Sequence, residues 1–103
     1  MHYQLVLQFR GDSLDDYDLI VGLENKLIEA LGDAADVDGH DIGSGESNIF
    51  ILTAGPESTF QLAKPVLERL QLLGTVTVAH RLVAGEHYTV IWPPHSQQEF
   101  AIA

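Results

Sequence analysis

Asp33-Ala34-Ala35-Asp36-Val37-Asp38-Gly39-His40-Asp41-Ile42-Gly43-Ser44-Gly45-Glu46-Ser47-Asn48 is the stretch whose reading decides the fold. Taken as a loop, it would gather acids and glycines around an ion. Taken as two strands and a turn, it supplies the middle hairpin of an α+β domain. Asp and Gly are depleted in strands, so Val37 to Ile42 is a poor strand by propensity. Gly43-Ser44-Gly45-Glu46 is nevertheless a plausible tight connection, and Asn48 to Thr53 beyond it is clearly strand-like. We therefore read a hairpin with its turn at residues 43 to 46.

Working outward, Tyr3 to Phe9 alternates around Leu5, Leu7 and Phe9, the period-two pattern of a half-buried strand. Ser13 is a good helix N-cap, with Asp16 three residues on to complete a capping box. Asp15, Asp16 and Asp18 lie where the positive end of the helix dipole favours acids. The spacing of Ile20, Leu23, Leu27 and Leu31 predicts an amphipathic helix over 14–31 that stops at Gly32. After the hairpin, Gly55-Pro56-Glu57 opens a second helix, and Phe60, Ala63, Val66, Leu67, Leu70 and Leu73 continue its apolar face. Pro65 lies inside that pattern. An interior proline removes a hydrogen bond and clashes with the preceding turn at about 3 kcal/mol, so we expect a kink or restart near Lys64. Thr75 to Val83 and His87 to Trp92 form a second hairpin across Ala84-Gly85-Glu86, ended by Pro93-Pro94.

The order β-α-β-β-α-β plus one added C-terminal strand is that of an α+β, ferredoxin-like domain. Right-handed crossovers put both helices on one face of an antiparallel sheet, with the first strand central and the final hairpin along one edge. We expect a single domain over residues 1–94 and a C-terminal tail, 95–103, that is loose or docks on a partner. The other sheet face is expected to carry Tyr3, His80, Tyr88 or Trp92, and pairing of two copies through that face or a sheet edge is the expected route to a homodimer.

Composition sets the function classes. The chain has 103 residues, enough to bury roughly two-thirds of its unfolded surface around one core. Its formal charge of −10 is uneven: residues 11–46 hold eleven of the fifteen acids against one base, Lys26. With five Lys and Arg in all, the field needed to bind a phosphate backbone or an anionic membrane surface is missing, so neither nucleic acid nor membrane is an expected partner. The absence of cysteine excludes disulfides and thiolate chemistry. Apolar runs are far short of the roughly 20 residues of a membrane span, and we expect a soluble, cytoplasmic protein.

The run from Tyr3-Gln-Leu-Val-Leu-Gln-Phe9 through Val37-Asp-Gly-His-Asp-Ile-Gly-Ser-Gly-Glu-Ser-Asn-Ile-Phe-Ile51 to Tyr88-Thr-Val-Ile-Trp-Pro93 resembles a group of small bacterial α+β proteins to which no activity attaches. The resemblance covers most of the chain and implies a bacterial, cytoplasmic setting.

The acidic segment offers three chemistries. Asp36, Asp38, Asp41 and Glu46 supply hard oxygen ligands for a divalent cation. The spacing fails as an EF-hand, however, because with Asp36 first, Asp41 occupies the glycine position and Ser47 that of the bidentate Glu. In a regular strand Asp36, Asp38 and His40 would also project to one side and Asp41 to the other. Gly43-x-Gly45-x-x-Asn48 departs from a phosphate-binding fingerprint at the third glycine and leads into a strand within a negative field. A catalytic reading would use His40, Asp41 and Ser44 or Ser47, with Asp38 and Asp41 biasing the imidazole toward its charged form, yet no nucleophile elbow frames the serines.

We therefore expect a non-catalytic binding module with no cofactor and no resident metal. It would act through Asp15, Asp16, Asp36, Asp38, His40, Asp41, Glu46 and Asn48 on a basic protein, as acidic inhibitors and immunity proteins do. The alternatives are a small-molecule sensor or regulatory domain, or divalent-metal binding through the 36–46 hairpin.

Overall fold

Leu5, Leu7 and Phe9 lie fully buried on one side of the first strand, as their alternation requires, in a computed structural model that describes residues 2–10, 17–43, 45–94 and 100–102. The elements run β1 (Tyr3–Arg10), α1 (Tyr17–Leu31), a single 3₁₀ turn (Gly32–Ala34), β2 (Ala35–Gly43), β3 (Glu46–Thr53), α2 (Pro56–Arg69), β4 (Val76–Leu82) and β5 (Thr89–Trp92). The architecture is α+β, an open five-stranded antiparallel sheet with two helices. Its strands are ordered β2-β3-β1-β4-β5, so β1 is central and the β4–β5 hairpin lies along one edge.

One cluster holds the core. Leu5, Leu7 and Phe9 of β1, Ile49 and Ile51 of β3, and Val76 and Val78 of β4 pack against Ile20, Leu23, Leu27 and Leu31 of α1 and Phe60, Ala63, Val66 and Leu67 of α2. Both helices therefore cover the same face. Each large apolar side chain buried in this way stabilises the fold by roughly 1.5–3 kcal/mol relative to exposure.

Several expectations need correction. The second helix ends at Arg69, not at Leu73. Gln71 adopts φ +59, its N–H bonds the Glu68 carbonyl at 3.0 Å, and the Leu72 N–H bonds the Leu67 carbonyl at 2.8 Å. This is the paired closure of a Schellman cap, and it turns Leu72 and Leu73 back onto the core. Pro65 sits within α2 and the helix runs through it without a restart; the position is exposed, so the carbonyl deprived of its partner one turn earlier, on exposed Gln61, faces water. Tyr3, His80 and Trp92 do not project from the open face. His80 pairs in register with Leu5 and Trp92 with Val78, which places them on the helix side. Trp92 leans on Phe60 and donates its indole N–H to the Leu73 carbonyl at 2.9 Å. The proposed cap at Ser13 and Asp16, and tail residues 95–99, fall outside the described residues.

Candidate functional site

β2 is the outermost strand on the β3 side, and its sequence makes that edge acidic. Asp36, Asp38 and Asp41 are all exposed, as is Asp33 in the turn before them. Although Asp and Gly disfavour strands, β2 pairs with β3 along its whole length, because Ala35, Val37 and the strong partner strand supply the burial that propensity lacks. A bulge interrupts the pairing: Val37 stands opposite Ile51 and Gly39 opposite Phe50, leaving Asp38 as the extra residue. Gly39 has φ +147, a conformation essentially reserved for glycine.

The bulge reverses the expected side-chain parity. Asp36 opposes Leu52 and Asp41 opposes Asn48 on the open face, whereas His40 opposes Ile49 on the helix side. Asp36 and His40 therefore do not share a side. The carboxylate that reaches His40 belongs to Glu24 of α1, with Nδ1 and Oε1 2.8 Å apart, and the Tyr17 ring meets the imidazole edge to face with centroids 5.6 Å apart. Both partners are largely covered, His40 22% and Glu24 13% exposed. The contact ties the edge strand to the first helix, while Asp36 and Asp41 project from the opposite, open face of the sheet. Asp15 and Asp16 fall outside the described residues.

Glu46 and Asn48 sit differently. Asn48 is buried on the open face, donates its amide to Glu46 Oε2 at 3.0 Å and accepts from Gln8 Nε2 at 3.1 Å. The same Gln8 amide donates to Glu46 Oε2 at 3.2 Å and to the Ala101 carbonyl at 3.0 Å, while Arg10 Nε donates to Gln8 Oε1 at 3.4 Å. Gln8 is 1% exposed, so this network is a satisfied polar centre beneath the chain's own C-terminal residues. Phe100 packs on Tyr88 with centroids 4.8 Å apart. The described part of the tail thus lies against its own sheet. Nothing in the period-two pattern reveals this centre, because Gln8 and Asn48 read as ordinary solvent-facing positions.

Among the described residues no three His, Asp or Glu side chains are placed to hold a metal ion. The elements of the catalytic reading are also separated: Asp41 and His40 lie on opposite faces, Ser47 is buried opposite Phe9, and Ser44 falls outside the described residues. At the other end of the sheet, Tyr3 meets His80 edge to face at 5.7 Å. Beside them one guanidinium nitrogen of Arg81 donates to the carbonyls of Leu82, Val83 and Gly85, pinning the β4–β5 connection. Along α2, Lys64 lies 4.7 Å over the Trp92 ring, beside a cleft of about 420 Å³ that Glu57 also lines.

The fold and site define a small α+β domain with an acidic sheet edge braced by a histidine–glutamate contact. Compared with protein-family models, with curated proteins and with solved structures, the chain matches none. No helix is long and apolar enough to cross a membrane among the described residues.

Proposed function

We propose that this domain is a non-catalytic interaction module that presents the β2 edge and the adjoining side of α1 to a basic protein partner. The observation that carries the reading is the exposed row Asp36, Asp38 and Asp41 on an outermost strand, held against α1 by His40 and Glu24. An edge strand offers unpaired backbone groups to any strand that comes alongside, and like charges across such a pairing repel. A second copy meeting β2 through β2 would oppose acid to acid, whereas a basic segment would be drawn in and oriented. Under the same reading the strands β2-β3-β1-β4 form a ferredoxin-like double unit, and β5 is the added strand at the β4 edge.

The test is affinity capture with the immobilised domain, compared with the Asp36→Asn, Asp38→Asn, Asp41→Asn triple variant. A basic partner retained by the unaltered domain should be lost by the variant. It should also be released as salt rises from about 0.1 M to about 1 M, where the screening length falls from ~10 Å to ~3 Å. Retention by the triple variant, or release insensitive to salt, would overturn the proposal. A melting temperature for the variant no lower than that of the unaltered domain would show that the fold survives the substitutions.

A further inference from the structure

The helix layer carries a groove that the acidic edge does not use. Lys26, Glu29 and Ala30 of α1 and Val66 and Arg69 of α2, with Leu70 beyond it, line a cavity of about 480 Å³. A second cavity of about 310 Å³ shares Lys26 and Leu70 and continues along α1 between Leu19, Gly22 and Leu72, with Asp18 at its end. Both volumes fall within the range of small-molecule sites, which are mostly apolar with a few placed polar groups and commonly lie between helices.

Charge, floor and backbone agree on what would fit. Two of the chain's five bases line this groove in a protein of net charge −10, and among the described residues neither has a carboxylate within ion-pairing distance. The adjoining stretch is apolar: Leu19 is 56% exposed and Leu70 38%, above buried Leu23. Gly22 stands in the middle of α1, where glycine is a poorer helix former than alanine, and a Cβ added there would meet nothing within 4 Å. Core packing therefore does not demand glycine at this position, and only a side chain much larger than a methyl would fill the groove.

We propose that this groove binds a small amphiphilic monocarboxylate, with its apolar tail along Gly22 between Leu19 and Leu72 and its carboxylate between Lys26 and Arg69. A charge-assisted contact to two cations orients such a ligand, and Glu29 and Asp18, which also line the two cavities, limit it to a single anionic group. The site is independent of the acidic edge, so either assignment can fail alone.

Titrating decanoate into the isotopically labelled domain below the ligand's aggregation threshold tests the assignment, with decanol and decyltrimethylammonium as comparison probes. Saturable amide shifts confined to Leu19, Gly22, Lys26, Arg69, Leu70 and Leu72 are expected with decanoate, and at least tenfold weaker binding with decyltrimethylammonium. The Lys26→Gln, Arg69→Gln variant should lose at least tenfold in decanoate affinity while leaving decanol affinity unchanged. Gly22→Leu should abolish both, and Gly22→Ala, at unchanged or raised melting temperature, should retain binding. Absence of saturation, equal affinity for the cationic probe, or undiminished decanoate binding by the double glutamine variant would each overturn it; should Gly22→Leu fail to fold, the glutamine variant alone decides.

Discussion

His80 stands on the helix side of β4, where partial burial lowers its pKa below the ordinary value of 6.5 while the Glu57 carboxylate at the start of α2 pulls it back up. Desolvation is the larger influence, so the folded state resists protonation more than the unfolded chain does. The consequence for stability has a definite sign. Above the unfolded pKa both states hold a neutral imidazole and His80 exerts no penalty. As pH falls through 6.5 the unfolded chain takes up the proton first, and the folded state loses stability progressively until the folded pKa is passed. We predict that His80→Gln flattens part of the decline in urea midpoint between about pH 7.5 and about pH 5.5. Parallel profiles for the two proteins would show that burial at this position does not tune the ring. Gln8 and Asn48 are the residue-scale counterpart among uncharged groups: polar, almost fully buried, and tolerated only because every side-chain amide found a partner across strands.

At the scale of elements, β2 shows how one inserted residue redirects a surface. Asp38 has no opposite number on β3, and from that point the strand exchanges its two faces, carrying His40 inward to Glu24 and Asp41 outward. Gly39 makes the exchange possible. Because an added Cβ would meet no neighbour there, the cost of Gly39→Ala is that of the backbone alone, which we expect to be about 1–3 kcal/mol in chemical denaturation. Gly43→Ala, on the same strand with no positive φ, should stay within about 0.5 kcal/mol of the unaltered protein. Equal effects at the two positions would mean that the bulge imposes no conformational demand. The end of α2 was similarly hidden. Apolar spacing continues through Leu70 and Leu73, and Gly74 is the obvious stop, yet a non-glycine residue, Gln71, takes the left-handed position and closes the helix early. Periodicity reports which side chains are apolar; it does not report where the backbone turns to bring them home. By contrast, α1 ends at Leu31 with Gly32 at φ +53, as its composition led us to expect.

For the whole molecule, charge is the dominant long-range term. A net charge of −10 on a fold with a Cα radius of gyration of 12.4 Å stores self-repulsion, to which residues 11–46 contribute eleven of the fifteen acids. Salt screens such repulsion, so the melting temperature should rise between about 0.02 M and about 0.5 M NaCl at neutral pH. A flat or falling dependence would indicate that local ion pairs outweigh the global field. The centre of the open face is occupied by the chain's own residues 100–102, whose carbonyl at Ala101 accepts from Gln8. The surface the proposal gives to a basic partner is therefore the β2 edge with the adjoining side of α1.

The sequence by itself determined the kinds and order of the elements, the central position of β1, the core residues of α1, most of those of α2 (though not exposed Leu70) and the lopsided charge. These are local periodicities and compositions read against a single contrast between burial and water. Only the tertiary structure decided which side His40 took, that Glu24 is its partner sixteen residues earlier, that Gln8 and Asn48 are buried, and that Lys26 and Arg69 share a groove. Each of these depends on register between strands or packing between helices, where a one-residue bulge reverses a face and contacts join residues far apart in the chain.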